Sequence, residues 1–518
     1  MPVHERLRPP AGHGEVLCSP PLARWGELAR ANAAAAEGWP EALRELRAAA
    51  RTEALETAWS FSRGIGVSGP AGERSVPIVM TGHQPGLYHP GVWVKAFLVH
   101  EAADVEGGMG LNVVVDTDDV GSLELRVPCM TPNVQLCTVP LVETAPGTAF
   151  AQAPVPDRQV LRTFRDRGLA ALETLPAHAP AWHFAMFCDC LDAAAPESGD
   201  LGALMTAARR VYERPAGTDY LELPLSAQVG GGAYRRFASG LLLDAERFRA
   251  VHNAELAAYR TRTGTRSAAQ PFPDLGEGDG WVEAPFWHLH AGTRRPVVVH
   301  ADGTLRASGG VIARLGRDQE ATADALSGID GLLAPKALAL TLFERLFVAD
   351  LFVHGTGGNR YDRVTDAVIN AYYGITPPAF ATASMTLMLP FGLPVTGDEE
   401  VRAAEQALHR LEHNPDSVLA DVEFDTTAER DKAERLAAEK ARLVAAMALP
   451  DTDRKRTGQR IREVNEALQG LLAPLGEQLR GEVERRRSAR DASAVLTDRA
   501  YPFCLWDPRE VMDKVRGL

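Results

Sequence analysis

The stretch VPIVMTGHQPGLYHPGVWVKAFLVHEAADVEGGMGLNVVVD, residues 76–116, carries the clearest structural signal in the chain. VPIVM (76–80) is a short β-branched run, and TGHQPGLYHPG is rich in turn residues. VWVKAFLVHEAADV reads as a helix and LNVVVD (111–116) as a second apolar strand. That order predicts a βαβ unit. Such a crossover joins parallel strands covered by helices, so the expected fold class is α/β, a Rossmann-like doubly wound parallel sheet.

Working outward, residues 25–60 are rich in Ala, Leu, Glu and Arg with apolar spacing near three and four. They predict two helices broken at Gly38 and Pro40, within a helical segment over 1–70. Beyond Asp116 the pattern changes to short strands, ELRVP and VQLCTVPLV, then to helices from about Asp157 to Glu213. A helix from Phe237 to Arg260 precedes the Pro- and Gly-rich AAQPFPDLGEGDGW. WVEAPFWHLH and RRPVVVHADGTLR follow as strands, which predicts a β-rich insertion around 265–310. Residues 336–374 return to a helix, strand, glycine loop, helix order: KALALTLFERL, ADLFVH, GTGGNR, YDRVTDAVINAYYG. A second Rossmann-like segment fits there and completes a core over 71–397.

Near Pro390–Asp398 the composition shifts to Glu, Arg, Ala and Leu, and a C-terminal α-helical coiled-coil arm is expected over 398–495. Ile461, Val464, Leu468, Leu471, Leu475, Leu479 and Val483 recur at intervals of three and four, with Pro474 kinking the seam. Its partner is either the helix from Ala428 to Met447 folding back or a second subunit in a homodimer. The tail over 496–518 includes AYPFCLWDP (500–508), apolar enough to pack on the core.

The charge sums to −13, from 55 Lys and Arg against 68 Asp and Glu. That disfavours a non-specific grip on nucleic acid or an anionic membrane and favours small molecules or proteins as partners, a small-molecule substrate being expected. The opening MPVHERLRPPAGHGEV has no apolar signal-peptide core. Leu338–Val353 is interrupted by Glu344, Arg345 and Asp350, too short and charged for a span of roughly 20 residues. A cytoplasmic protein is expected. The six scattered cysteines read as reduced thiols rather than a disulfide framework.

Ligands of open α/β sheets bind outside the carboxyl ends of the strands. TGHQPGLYHPG falls at such an end: Thr81, His83, Gln84, Tyr88 and His89 offer polar groups, Gly82 and Gly86 admit close approach, and Pro90 begins the helix. Lys95, a turn further on, would reach an anion. The alternative is a plain Gly-Pro turn with a solvated Lys95. Asp116, Asp118 and Asp119 close the next strand and could hold Mg²⁺, an ammonium or a proton, or simply form an Asp-rich turn. Gly355, Thr356, Gly357, Gly358, Asn359, Arg360, Tyr361 and Asp362 follow ADLFVH as a phosphate-type loop, although neither a dinucleotide fingerprint nor a Walker motif is present. No residue set is assigned to a metal: Cys188 and Cys190 lack a second pair, and His288 and His290 lack a third ligand. No Gly-x-Ser-x-Gly elbow supports a serine hydrolase.

TGHQPGLYHPGVWVKA resembles the Thr-Gly-Gln-Gln-x-Gly-Leu-Phe…Lys segment of the cysteine-adding enzymes of bacillithiol synthesis, through Thr81, Gly82, Gln84, Gly86, Leu87 and Lys95. VVVDTDD stands where that family carries Glu-Asp-His-Asp-Phe. VHGTGGNRY resembles its Val-Gly-Gly-Pro-x-Glu-Ile-x-Tyr stretch through Val353, Gly355 and Tyr361. The family's histidine between acids is absent, its proline is Thr356 and its glutamate falls at Gly358. The resemblance implies a Rossmann-like core, a coiled coil for dimerisation, and a ligase joining an amino acid, cysteine in that family, to an aminosugar-type acceptor. ATP or ADP with Mg²⁺ would activate the carboxylate. His83 or an acid among Asp116, Asp118 and Asp119 would be the acid/base, Lys95 and the GTGG backbone would hold anions, and Asp362 would orient substrate. Two alternatives stand beside it: a non-catalytic nucleotide- or sugar-binding dimer, and a nucleotidyltransferase.

Overall fold

The quoted stretch folds as a strand, Ile78–His83, a helix, Pro90–Val105, and a parallel strand, Met109–Val114. The protein is described by a computed structural model over residues 7–67, 69, 76–131, 133–267, 272–391 and 395–518. Residues 1–6 of the start read for a targeting signal, 70–75 and 392–394 at two expected boundaries, and 268–271 of the Pro- and Gly-rich stretch lie outside them.

In chain order the strands are β1 (Val16–Ser19), β2 (Ile78–His83), β3 (Met109–Val114), β4 (Ser122–Met130), β5 (Val134–Glu143), β6 (Leu221–Pro224) and β7 (Glu277–Gly278). They continue as β8 (Trp281–His290), β9 (Thr293–His300), β10 (Thr304–Ala307), β11 (Gly310–Arg314), β12 (Leu332–Pro335), β13 (Leu351–His354) and β14 (Ala381–Met385). The molecule is mixed α/β. Its central sheet has the order β1-β14-β13-β2-β3-β6, parallel except for β1, which runs antiparallel to β14. The chain steps outward from β2 to β3 to β6, then returns to the other side of β2 for β13 and β14. The strand order therefore reverses between β2 and β13. Every residue of β3, β6, β13 and β14 is buried, the pattern of strands covered on both faces.

The two N-terminal helices, Trp25–Glu37 and Glu41–Gly64, break at Gly38–Pro40 as expected. The second is pinned to the amino ends of β2 and β13 by buried Asp350. Its carboxylate accepts from Arg47 Nη2 (2.6 Å), Arg51 Nη1 (2.9 Å) and the Ile78 amide (2.8 Å). The helix expected over 237–260 is two, Gly232–Leu243 and Ala245–Thr263. Asp244, with φ −116° and ψ 33°, leaves the helical region between them.

The expected antiparallel insertion is a five-stranded sheet, β11-β10-β9-β8-β12, with β7 beside β8, and it continues to Pro335. Strands β4 and β5 form a separate two-stranded sheet. Cys129 and Cys137, on these two strands, are joined as a disulfide. The expectation of six reduced thiols is corrected at these two positions: antiparallel pairing of the strands, which sequence spacing does not display, brings their α-carbons to 6.0 Å.

The chain divides into two compact units, residues 1–129, 137–388 and 499–518, and residues 130–136 and 389–498. In the second, the Asp398–His413 helix pairs with Ala473–Leu496, and Thr427–Ala446 with Arg454–Leu471. The apolar seam is filled within the chain: Val464 and Leu468 pack with Ala433, and Leu472 with Leu411 and Val418. Around Pro474 the seam is broken, one helix ending at Leu471 and the next starting at Ala473. In the first unit the aromatic tail folds back: the Phe503 amide donates to the Tyr88 carbonyl (2.8 Å), and Tyr212 Oη donates to the Trp506 carbonyl (2.6 Å). Among the described residues no helix is long and apolar enough to cross a membrane.

Candidate functional site

The reversal of strand order places the loop after β2 and the segment after β13 at the carboxyl edge of the sheet, where open α/β sheets bind ligands. Thr81 ties the two strands together, its Oγ1 donating to the Val353 carbonyl (2.8 Å). Gly82 is a close approach: a Cβ there would lie 2.3 Å from Val113 Cγ1. The loop then runs to His89, whose Nδ1 accepts from the Gly91 amide (3.1 Å) and caps the helix beginning at Pro90.

Lys95 turns back from that helix, and its Nζ donates to the Gly82 carbonyl (3.0 Å). Only 5% exposed, it loses its hydration, which brings its ammonium down to about 8. His83 sits beside it, its Nδ1 3.1 Å from the Gln84 carbonyl. Burial, with the Lys95 charge adding to it, pushes His83 down to about 3, so its ring is neutral near neutral pH. Tyr88 is wedged between His83 and Phe503, and burial raises its hydroxyl.

The acids after β3 converge on this loop. Asp118 accepts from Gln84 Nε2 (2.7 Å) and pairs with Arg294. Burial alone would raise this carboxyl, but the Gln84 hydrogen bond and the Arg294 charge hold it below its usual range. Asp119 accepts from the Gly121 (3.1 Å) and Gly147 (2.8 Å) amides, shaping a turn. Asp116 is buried and accepts from the Ser226 amide (2.8 Å) and the Ser226 hydroxyl; burial raises it to about 7 despite both bonds. A cleft of about 360 Å³ opens here, lined in part by Gln84, Gly86, Asp118, Asp119, Glu124 and Arg126. The acidic oxygens already serve protein donors, so a resident Mg²⁺ would have to displace Arg294 or the turn amides. Among the described residues no group of three or more metal-ligating side chains is gathered for a metal.

GTGG is not a loop before a helix but the first turn of one. The Thr356–Val368 helix has Gly355 as its N-cap, and its first hydrogen bond runs from the Asn359 amide to the Gly355 carbonyl (3.0 Å). Asn359 Nδ2 donates to Thr382 Oγ1 (2.7 Å) on β14. Arg360 is exposed, and Tyr361 is 37% exposed against Phe272. Asp362 faces inward. Its Oδ2 accepts from Arg345 and lies 2.8 Å from His354 Nε2. Burial opposes its ionisation, but the Arg345 and His354 charges bring it to about 2.

Loop 84–89, the acids after β3 and the 355–362 turn thus share one edge of the sheet, while Asp116 and Asp362 point into protein partners. Sequence reasoning did not single out His354, Arg345 or Arg294. His354 had a signal, a histidine closing a buried apolar strand eight residues before an acid. Arg294 had none, because Asp118 lies 176 residues away and Trp287, under its guanidinium at 4.9 Å, is on a neighbouring strand.

No known family model matches the chain, and no curated protein matches it.

Proposed function

We propose that this chain is a ligase-type enzyme with a Rossmann-like core, joining an amino acid, cysteine by the resemblance above, to an amine-bearing sugar-type acceptor. A nucleotide would activate the carboxylate. The observation that carries the reading is the reversal of strand order between β2 and β13, the position at which open α/β sheets bind ligands. Gln84, Asp118 and the cleft beside them suit a polar acceptor, and the start of the 356–368 helix suits an anion. A cytoplasmic location and a homodimer through the helical arm belong to the same reading. Since the arm's seam is filled in-chain, a dimer would use its outer faces.

A second reading, a binding protein without catalysis, is favoured by one observation. Asp116, Asp118 and Asp119 are engaged by protein donors, and His83 is held neutral. Thermal shift with ATP, ADP, cysteine and glucosaminyl-malate separates the two, because a ligand that binds only the folded state raises its melting temperature. A shift with cysteine or the aminosugar, followed by amide formation when nucleotide is added, supports the ligase. Shifts without turnover support the binding protein, and no shift with any of them refutes both.

A further inference from the structure

The helices Thr427–Ala446 and Arg454–Leu471 pair as a hairpin, and the last side chain of the first helix in their apolar seam is Leu443. Beyond it runs VAAMALP, residues 444–450, without a charge. Val444 is 52% exposed and Leu449 59%. The turn has a fixed shape. The Leu449 amide donates to the Ala446 carbonyl (3.0 Å), Thr452 Oγ1 donates to the same carbonyl (2.6 Å), and Asp453 caps the second helix by accepting from the Arg456 amide (3.1 Å). Two large apolar side chains, five residues apart, are thus held in solvent on an ordered tip.

An independent feature surrounds this tip with positive charge. Residues 442–462 hold six Lys and Arg against Asp451 and Asp453, a balance of +4 in a chain of −13, so the remaining residues sum to −17. Arg442, Arg454, Lys455, Arg456 and Arg462 are exposed and, among the described residues, have no acid partner; Arg460 pairs with Glu439 and Glu463. Arg454, Lys455 and Arg456 open their helix, and no acidic residue lies in its first turn. Cations there meet the positive end of the helix dipole, so their placement costs the helix stability. An anionic surface brought against the tip turns that cost into an attraction.

We propose that this hairpin tip docks on an anionic membrane surface. Val444 and Leu449 enter the headgroup layer, and the cations around them meet lipid phosphates and acidic headgroups. Only such a partner uses both features. A nucleic acid would take the cations and leave the apolar tip in water, and the tip of a second copy would carry the same charge and be repelled. Screening over about 8 Å leaves most of the attraction to Arg442, Arg454, Lys455 and Arg456, the cations nearest the turn. The acidic remainder of the chain is repelled by the same surface, which confines the contact to the tip. The tip rests on the membrane and does not cross it, since no described helix is long and apolar enough to span one.

Sedimentation of the full chain with lipid vesicles tests this. Vesicles of equal parts phosphatidylcholine and phosphatidylglycerol should bind the protein at about 0.1 M salt and release most of it at about 1 M, and phosphatidylcholine alone should bind none. Lys455→Gln should weaken binding about fivefold, and Arg454→Gln combined with Lys455→Gln about twenty-fivefold. Leu449→Ser should weaken it about tenfold. All three positions are exposed, so the variants should melt at or above the wild-type temperature, which separates lost docking from lost fold. No binding to the anionic vesicles, or binding that the charge variants or Leu449→Ser leave unchanged, would overturn the proposal. So would tighter binding to a single-stranded RNA oligomer that is indifferent to Leu449→Ser, which would give the cations to nucleic acid.

Discussion

Replacing Lys95 with Met should make the protein more stable. The ammonium is 5% exposed, with the Gly82 carbonyl as its hydrogen-bond partner, and burial brings it from an ordinary 10.5 to about 8. At about 1.4 kcal/mol per unit, holding that charge costs the folded state about 3 kcal/mol at pH 7. Methionine fills a similar volume without the charge. Leaving the Gly82 carbonyl without this donor returns about 1 kcal/mol, so the net gain is about 2 kcal/mol. The sign follows from proton counts. Below pH 8 the amine is charged in both states and the full penalty applies. Between about 8 and 10.5 the folded protein has released a proton that the unfolded chain still holds, so wild-type stability rises with pH, and above that window the penalty is gone. Lys95→Met should remove this rise. Urea unfolding of both proteins at pH 7, 9 and 10.5 measures it. A variant less stable than wild type at pH 7, or an unchanged pH slope, would refute the argument. A lysine kept at such a cost is a mark of function, so the same variant should also weaken ligand binding in the crevice.

Glu344 is fully buried, with one oxygen unpartnered and the other 3.3 Å from Gln228 Nε2, and burial pushes it up to about 8. Wild-type stability should therefore fall as pH rises from about 4.5 to 8, because the unfolded chain loses this proton first; Glu344→Gln should match wild type at pH 4.5 and exceed it by several kcal/mol at pH 8.5 in urea unfolding. Asp350→Ala strands Arg47, Arg51 and the Ile78 amide and should lower stability by about 3 to 5 kcal/mol; a loss below 1 kcal/mol would mean the cluster does not fasten the helix to the sheet. Alkylation of the denatured, unreduced protein should label the four free thiols and spare Cys129 and Cys137 until reductant is added; six labels at once would exclude the disulfide.

The part of the fold that sequence displayed best is where periodicity and burial coincide. Ile78–Met80 and Leu111–Val114 lie in largely apolar, β-branched runs with turn residues between them, and the helix that joins them starts at Pro90, where a proline fits. LELP (221–224) and VLCS (16–19) become four-residue strands that no period can announce, and ATASM (381–385) is a strand of small residues whose burial comes from its neighbours. The loops of the candidate site were legible because turn residues after strands have a fixed place in such sheets. What each side chain does there was not, because the partners are distant in sequence. Asp116 is claimed by Ser226, Asp118 by Arg294 and Asp362 by Arg345, and none of these pairings leaves a local pattern.

The joining of β2 to β13 is also a matter of timing. Thr81 and Val353, hydrogen-bonded across that junction, are 272 residues apart. A ribosome delivers β2, β3 and β6 first, then must translate the whole antiparallel sheet before β13 emerges. At bacterial or eukaryotic elongation rates that interval is on the order of ten seconds or more, during which the Ile78–Met80 edge has no neighbour on one side. An unpaired apolar edge is an invitation to the wrong strand. The nascent half-sheet is thus the species most in need of a chaperone, and slowing synthesis between codons 225 and 350 should lower the yield of folded protein more than slowing it anywhere in the helical arm.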